Sequence, residues 1–320
     1  MSPAEQWTQS EVAVLAAATS RAPSVHNTQP WRLELRDRAG SVLERVDIAL
    51  PRHDPLGRDR MLSCGAALTN LRLAVRSLGW TSRWSAFPDP TRRDVVGTVT
   101  AAGRAAPDEA DHARFRAIRS RRAHPAPFAP EPVDTALPGE LARGCDVPDV
   151  TVRVVPTEAV GDLAQLLLRS AQVLRDDRAY QRELAAWTAP GTSAGPGARP
   201  MTRAPDNRLP DEEILIQRLA AESHLVVATP TDTRLDHLRA GMALAHAWLG
   251  ATAHALTGSA ITQPLHVLES RSRLAEILGL PGYAQALLRL GHPIERTTPS
   301  ARRPFNSLIM LREPEGTWQG

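Results

Sequence analysis

Residues 22–31 read APSVHNTQPW, a stretch with two prolines, one serine, one asparagine, one glutamine and a terminal indole, and no side chain that is charged by default. The residues on either side fix its place in the chain. Glu11 to Thr19 (EVAVLAAAT) puts Val12, Leu15 and Ala16 on one face, which predicts a helix capped by Ser10 and stopped before Pro23. Trp31 to Arg36 (WRLELR) alternates Trp31, Leu33 and Leu35 against Arg32, Glu34 and Arg36, the period of two expected of a strand buried on one face. The decapeptide is therefore a helix-to-strand connection. Its amides and hydroxyl offer donors and acceptors, and Pro23 and Pro30 pre-set the backbone.

Composition removes several alternatives. The chain has 320 residues, enough for two domains or a fused pair, with 42% hydrophobic and 23% charged residues, as in ordinary globular proteins. All 38 basic residues are arginine, spread beside 35 acidic ones, and the net charge is only +3. This is not the concentrated basic face of a nucleic-acid binder, and no nucleic-acid partner is expected. Without lysine there is no Schiff-base chemistry, no GxxxxGK[ST] phosphate loop and no kinase lysine. Two cysteines, Cys64 and Cys145, are too few for a four-cysteine cluster and suit a reducing compartment. The start MSPAEQWTQSEV lacks a basic segment followed by an apolar run, and no window is long and apolar enough for a membrane span. The expectation is a cytoplasmic protein without a membrane partner.

Two stretches are alike. Gly65 to Gly79 and the segment beginning at Gly241 are both alanine-rich helical patterns, each followed by an extended piece, RWSAF and SAITQPL respectively. This similarity points to a diverged duplication. The Gly/Pro/acid cluster at 105–112 suits a boundary, giving a first unit over 1–110 and a second over 111–320. Residues 187–211, with five prolines and three glycines, form a lid-like or binding loop.

Within that tract, Gly191 to Gly195 (GTSAG) matches the G-x-S-x-G nucleophile elbow, but a helical pattern precedes it and prolines follow, not the strand-to-helix turn the motif needs. His237, His246 and His254 lack an HExxH or a carboxylate on the same face and read as surface or core histidines, so no metal ligand is assigned. No GxGxxG precedes a helix. Arginine blocks stand in turns at 116–128 (Arg119, Arg121, Arg122) and 288–305 (Arg302, Arg303). Such blocks are commonly just solvated, yet guanidinium forks suit a phosphate. Together with Ser24, Asn27 and Gln29, they match a flat ring edged with donors and acceptors that carries one phosphate, as in flavin mononucleotide.

At this point the decapeptide resembles the PSxxNxQPW signature of the nitroreductase family. The stretches 54–75, 238–265 and 287–305 resemble its Acg-like branch, in which two units are fused in one polypeptide. The resemblance implies an α+β nitroreductase-like fold built as an intrachain pseudo-dimer, with one FMN between the units. It implies that Pro23, Ser24, Val25 and Asn27 approach the flavin from the first unit. Arg121 and Arg122 would hold the phosphate and ribityl chain, Arg302 together with Arg303 would be the C-terminal phosphate ligand, and Ile261, Thr262 and Gln263 would lie against the ring near N5. Ala123 and Pro125 stand where the family has a hydroxyl residue and a further basic residue, which predicts weaker FMN binding.

The implied activity is NAD(P)H-dependent reduction of a small planar electrophile, with hydride passing through flavin N5 and no side chain assigned as a catalyst. The competing implication is a non-catalytic FMN storage or sequestration protein with a closed lid.

Overall fold

The computed structural model describes residues 6–188, 211–295 and 299–311. The chain opens with α1 (Gln9–Ser20), whose cap is Thr8 and not Ser10. The reason is a capping box: the Thr8 hydroxyl accepts from the Glu11 amide at 3.3 Å, and the Glu11 carboxylate accepts from the Thr8 amide at 2.8 Å.

The decapeptide follows, and then β1 (Trp31–Arg36), β2 (Ala39–Glu44), α2 (Arg58–Ser77), β3 (Trp80–Ala86) and β4 (Val95–Arg104). In β1 the predicted alternation holds for the apolar residues, but Glu34 is buried as well. A bidentate pairing from Arg92 at 2.8 and 3.0 Å satisfies its carboxylate.

The boundary cluster leads into α3 (Glu109–Ser120), capped by Asp108. Next come α4 (Leu137–Arg143), β5 (Thr151–Val154), α5 (Val160–Asp176), α6 (Arg178–Thr188) and α7 (Glu212–Ala220). The chain then forms β6 (Ser223–Thr229), α8 (Arg234–Ala253), β7 (Thr257–Ile261), α9 (Leu268–Ile277), β8 (Tyr283–Gly291), α10 (Phe305–Leu308) and β9 (Ile309–Leu311). Of the lid-like tract 187–211, residues 189–210 lie outside the described residues, and so does the GTSAG segment, while Trp187 and Thr188 end α6 and Asp211 caps α7.

Strand order makes the duplication visible. The first sheet runs β3-β4-β2-β1-β9 and the second β7-β8-β6-β5, with antiparallel neighbours throughout the shared part. The fifth strand, β9, pairs parallel to β1 with Leu33 opposite Ile309, so the end of the chain returns to the first sheet. To get there, residues 299–304 run past the decapeptide.

The second sheet is covered on both faces. Leu225, Val227, Ala286, Leu288 and Leu290 join the main core with α2 and α8, whereas Val226, Ala284 and Leu287 face a second core with α5, α7 and α9. This is why β6 and β8 read as continuous apolar runs instead of alternating.

The two units meet where α2 crosses α8. Gly65 and Gly241 occupy the eighth position of their helices, and each lies against the other helix's backbone. A methyl group at Gly65 would fall on the Leu238 carbonyl, and one at Gly241 on the Leu62 carbonyl. The contact is reciprocal, as at an axis between equal subunits. The first residue of each helix reaches into the other unit: Arg58 donates to the Thr262 and Gln285 carbonyls at 3.0 and 3.3 Å, and Arg234 pairs with Glu44 at 2.5 Å. Among the described residues, no helix is long and apolar enough to cross a membrane.

Gly241→Ala should cost about 3 kcal/mol or more in chemical denaturation, since backbone, not a flexible side chain, blocks the methyl. Gly161→Ala in α5, where a methyl meets nothing within 4 Å, should stabilise by up to ~1 kcal/mol from helix propensity.

Candidate functional site

The decapeptide is a tight, locally strained loop. A short 3-10 turn, Val25–Asn27, sits in it, and His26, Asn27 and Gln29 all have positive φ (46°, 55° and 50°). Non-glycine residues in that region cost on the order of 1 kcal/mol or more each, and the surroundings must hold them there. Two internal bonds do so: the Ser24 hydroxyl accepts from the Gln29 amide at 3.0 Å, and the Thr28 hydroxyl donates to the Val25 carbonyl at 2.9 Å. Pro23 and Val25 are half-buried beside them.

The returning C-terminal segment supplies the rest. The Asn27 amide donates to the Ala301 carbonyl and its oxygen accepts from Arg302, both at 2.9 Å. Gln29 Oε1 accepts from the Arg303 amide at 2.9 Å. Residues 274 and 275 positions apart are thus joined by neutral amides.

At this seam lies a group of four guanidinium ions, Arg21, Arg121, Arg122 and Arg302. Arg121 is buried, donates to the Arg21 carbonyl at 3.1 Å and lies 4.6 Å over the Trp248 ring. Burial, followed by the charges of Arg302, Arg122 and Arg21, pulls it down to about 9. Burial and the charges of Arg21 and Arg122 bring Arg302 down to about 10. Among the described residues no carboxylate pairs with any of the four, and Arg302 Nε is buried without an acceptor. Such a cluster concentrates positive charge and donors of the kind that suit an anion.

Arg21 escaped the sequence reading, although a signal existed. It follows α1 as Arg121 follows α3, in each case as the residue that caps the helix C-terminus. The two units therefore each contribute an arginine from the same kind of position. Arg303 differs from the four: its guanidinium donates to the Thr28 carbonyl, and its charged neighbours are Arg45 and Asp47. Ala123 forms a bridge to Gly258 at the start of β7, and Thr257 beside it donates to the Arg122 carbonyl at 3.5 Å.

Ile261, Thr262 and Gln263 lie at the other end of β7, about 13 Å further on for four strand steps. The expected extended stretch SAITQPL stays extended only to Ile261, and Gln263–His266 forms a 3-10 turn with a proline at its start. The Thr262 hydroxyl donates to Asp59 Oδ2 at 2.6 Å. The same oxygen accepts from His53 Nε2 and His266 Nε2, each at 3.1 Å. Burial alone would raise Asp59, but His266, His53 and Arg58 outweigh it and hold the carboxyl well below the usual range. His26 completes the connection, with Nε2 3.3 Å from His53 Nδ1, and burial and the charge of His53 lower it to about 3.

The decapeptide thus spans both ends: Asn27 touches the arginine group and His26 the histidine group. His53, Asp59 and His266 carry no local motif, and only their convergence marks them. The three histidines weighed from the sequence stand elsewhere: His237 pairs with Asp232 at 2.6 Å, His246 is lowered to about 3 by burial near Arg114 and Arg72, and His254 ends α8.

Inorganic phosphate should raise the melting temperature saturably by occupying the four-arginine group. Arg121→Met should raise the melting temperature of the anion-free protein, since it removes a buried like charge, yet abolish the phosphate-dependent gain. Thermal denaturation with and without phosphate measures both signs.

No family model matches the chain. Among curated relatives, the Mycobacterium tuberculosis protein called "Putative NAD(P)H nitroreductase Rv3131" is 34% identical over 319 residues, covering 90% of this chain and 88% of that protein. "Putative NAD(P)H nitroreductase acg" of the same organism is 29% identical, covering 91% and 93%. Of solved structures, a BluB-like flavoprotein from Clostridium difficile superposes with a TM-score of 0.45 at 11% identity, covering 62% of this chain and 98% of that one. That last likeness is too distant to add to the assignment. The identity to the first relative across almost the whole of both sequences shows that this chain belongs to the nitroreductase family.

Proposed function

We propose that the chain binds one FMN in the seam between its two units and acts as an NAD(P)H-dependent oxidoreductase on a small planar electrophile. The observation that carries this reading is the group of four guanidinium ions, without a carboxylate partner among the described residues, set at one end of β7 and joined to the strained decapeptide. The buried, unpaired Nε of Arg302 fits a phosphate oxygen acceptor.

Arg21, Arg121, Arg122 and Arg302 would hold the phosphate, with Arg21 compensating for the basic residue missing after Ala123. Arg303, through its backbone bond to Gln29, keeps the C-terminal segment in place more than it meets the phosphate. Pro23, Ser24, Val25 and Asn27 would face the ring from the first unit, and Ile261, Thr262 and Gln263 from the second. The units divide at 105–112, with β9 exchanged back to the first sheet. A bound FMN would supply the hydride-transfer chemistry between a reduced nicotinamide and the electrophile. The protein's part is to orient the ring, exclude water and hold neutral donors at its edge. The names of the two curated relatives support the NAD(P)H-dependent reading.

Purified protein should bind FMN stoichiometrically with a visible oxidised-flavin band, prefer it to riboflavin, and oxidise NADPH in the presence of a nitroaromatic acceptor. Arg302→Gln should weaken FMN by about 10- to 100-fold, the worth of one charge-assisted bond, and leave riboflavin affinity nearly unchanged. Equal affinity for FMN and riboflavin in the native chain would remove the phosphate assignment. Tight FMN binding without NADPH turnover would replace the enzyme by a sequestering protein.

A further inference from the structure

We propose that His53, Asp59 and His266 form a binding site for one divalent first-row transition cation, Zn2+ foremost, which clamps the two units together across their seam.

The three side chains come from three separate segments: the loop before α2, the first turn of α2, and the 3-10 turn after β7. Their ligand atoms lie within 4.8 Å of one another. Both imidazoles aim Nε2 at the same carboxylate oxygen, at 3.1 Å each. Nitrogen and oxygen ligands about 2.0–2.2 Å from a tetrahedral cation stand about 3.4 Å apart, so small rotations would admit the ion. Two imidazoles and one carboxylate leave a coordination position open for water.

The outer partners are those such a site needs. His53 coordinating through Nε2 carries its proton on Nδ1, which lies 3.3 Å from His26 Nε2 as acceptor. Asp59 is oriented by Thr262 at 2.6 Å on Oδ2 and by Arg58 at 3.3 Å on Oδ1. Asp54, which accepts from the Asp59 and Arg60 amides, and Glu183, which accepts from the His53 amide, add negative charge beside it. Asp59, Asp54 and Asp232 offset part of the positive charge of Arg58 and the neighbouring Arg271. His53 and Asp59 belong to the first unit and His266 to the second, so an ion held by all three would stabilise their association.

Thr262 orients Asp59 and also belongs to the segment proposed to face the flavin ring, so the test uses flavin-free protein. Chelator-treated full-length chain is titrated with Co2+, and the visible d–d absorption and melting temperature are followed. One saturable Co2+ per chain is expected, displaced by Zn2+, with a rise in melting temperature. Half-buried His266→Gln should weaken binding by more than the ~10- to 100-fold that loss of an outer partner costs, and His26→Ala should fall within that range. Circular dichroism and melting without metal check that both variants fold. The proposal is overturned if no band develops up to ~1 mM Co2+. It also fails if a folded His266→Gln chain binds Co2+ as tightly as the native chain, since the ion would then be bound elsewhere.

Discussion

Two glycines, Gly65 and Gly241, let the backbones of α2 and α8 touch, and the other features of the molecule depend on that approach. At that distance the helix N-termini reach the opposite unit, where Arg58 holds the Thr262 and Gln285 carbonyls and Arg234 holds Glu44. The histidine group exists because Asp59, one residue along α2, is carried by the same approach to His266 of the second unit. Helices spaced by ordinary side chains would sit farther apart, and these contacts would open.

Around that contact the protein keeps features that do not favour its own stability. Three positive-φ residues in the decapeptide and four clustered guanidinium ions all oppose the folded state. Partial compensation is local: the Trp248 ring under Arg121, the Arg21 carbonyl that accepts from it, and Asn27 paired with Arg302. Strain and uncompensated charge concentrated at one seam are what a pre-formed anion-binding site requires, because the ligand then meets donors already in position.

The elements with a strong local signal were legible. The WRLELR strand stands where its alternation put it, and both alanine-rich stretches are helical, but each helix begins seven residues earlier, at Arg58 and Arg234, and SAITQPL is strand only as far as Ile261. Local competition decided the misses: Thr8 won the cap over Ser10 through its reciprocal bonds with Glu11, and Glu34 is buried because Arg92, 58 residues away, pairs with it. Arg121, Arg122 and Arg302 of the proposed phosphate site stood out in the sequence as arginine blocks, whereas Arg21 stood alone and His53, Asp59 and His266 lie up to 213 residues apart with no spacing to link them.

By itself the amino-acid sequence determined the period of each helix and strand, the decapeptide's neutral donors and turn-forming prolines, and the absence of lysine chemistry. These follow from side-chain shape and backbone preference within a few residues, which a linear pattern records. Only the tertiary structure decided that β9 returns to the first sheet, that the decapeptide is fastened to residues 301–303, and that four arginines and a His–Asp–His group occupy opposite ends of one strand. Those arrangements are set by which buried surfaces pack together over hundreds of residues, and no local pattern encodes a distance of that kind.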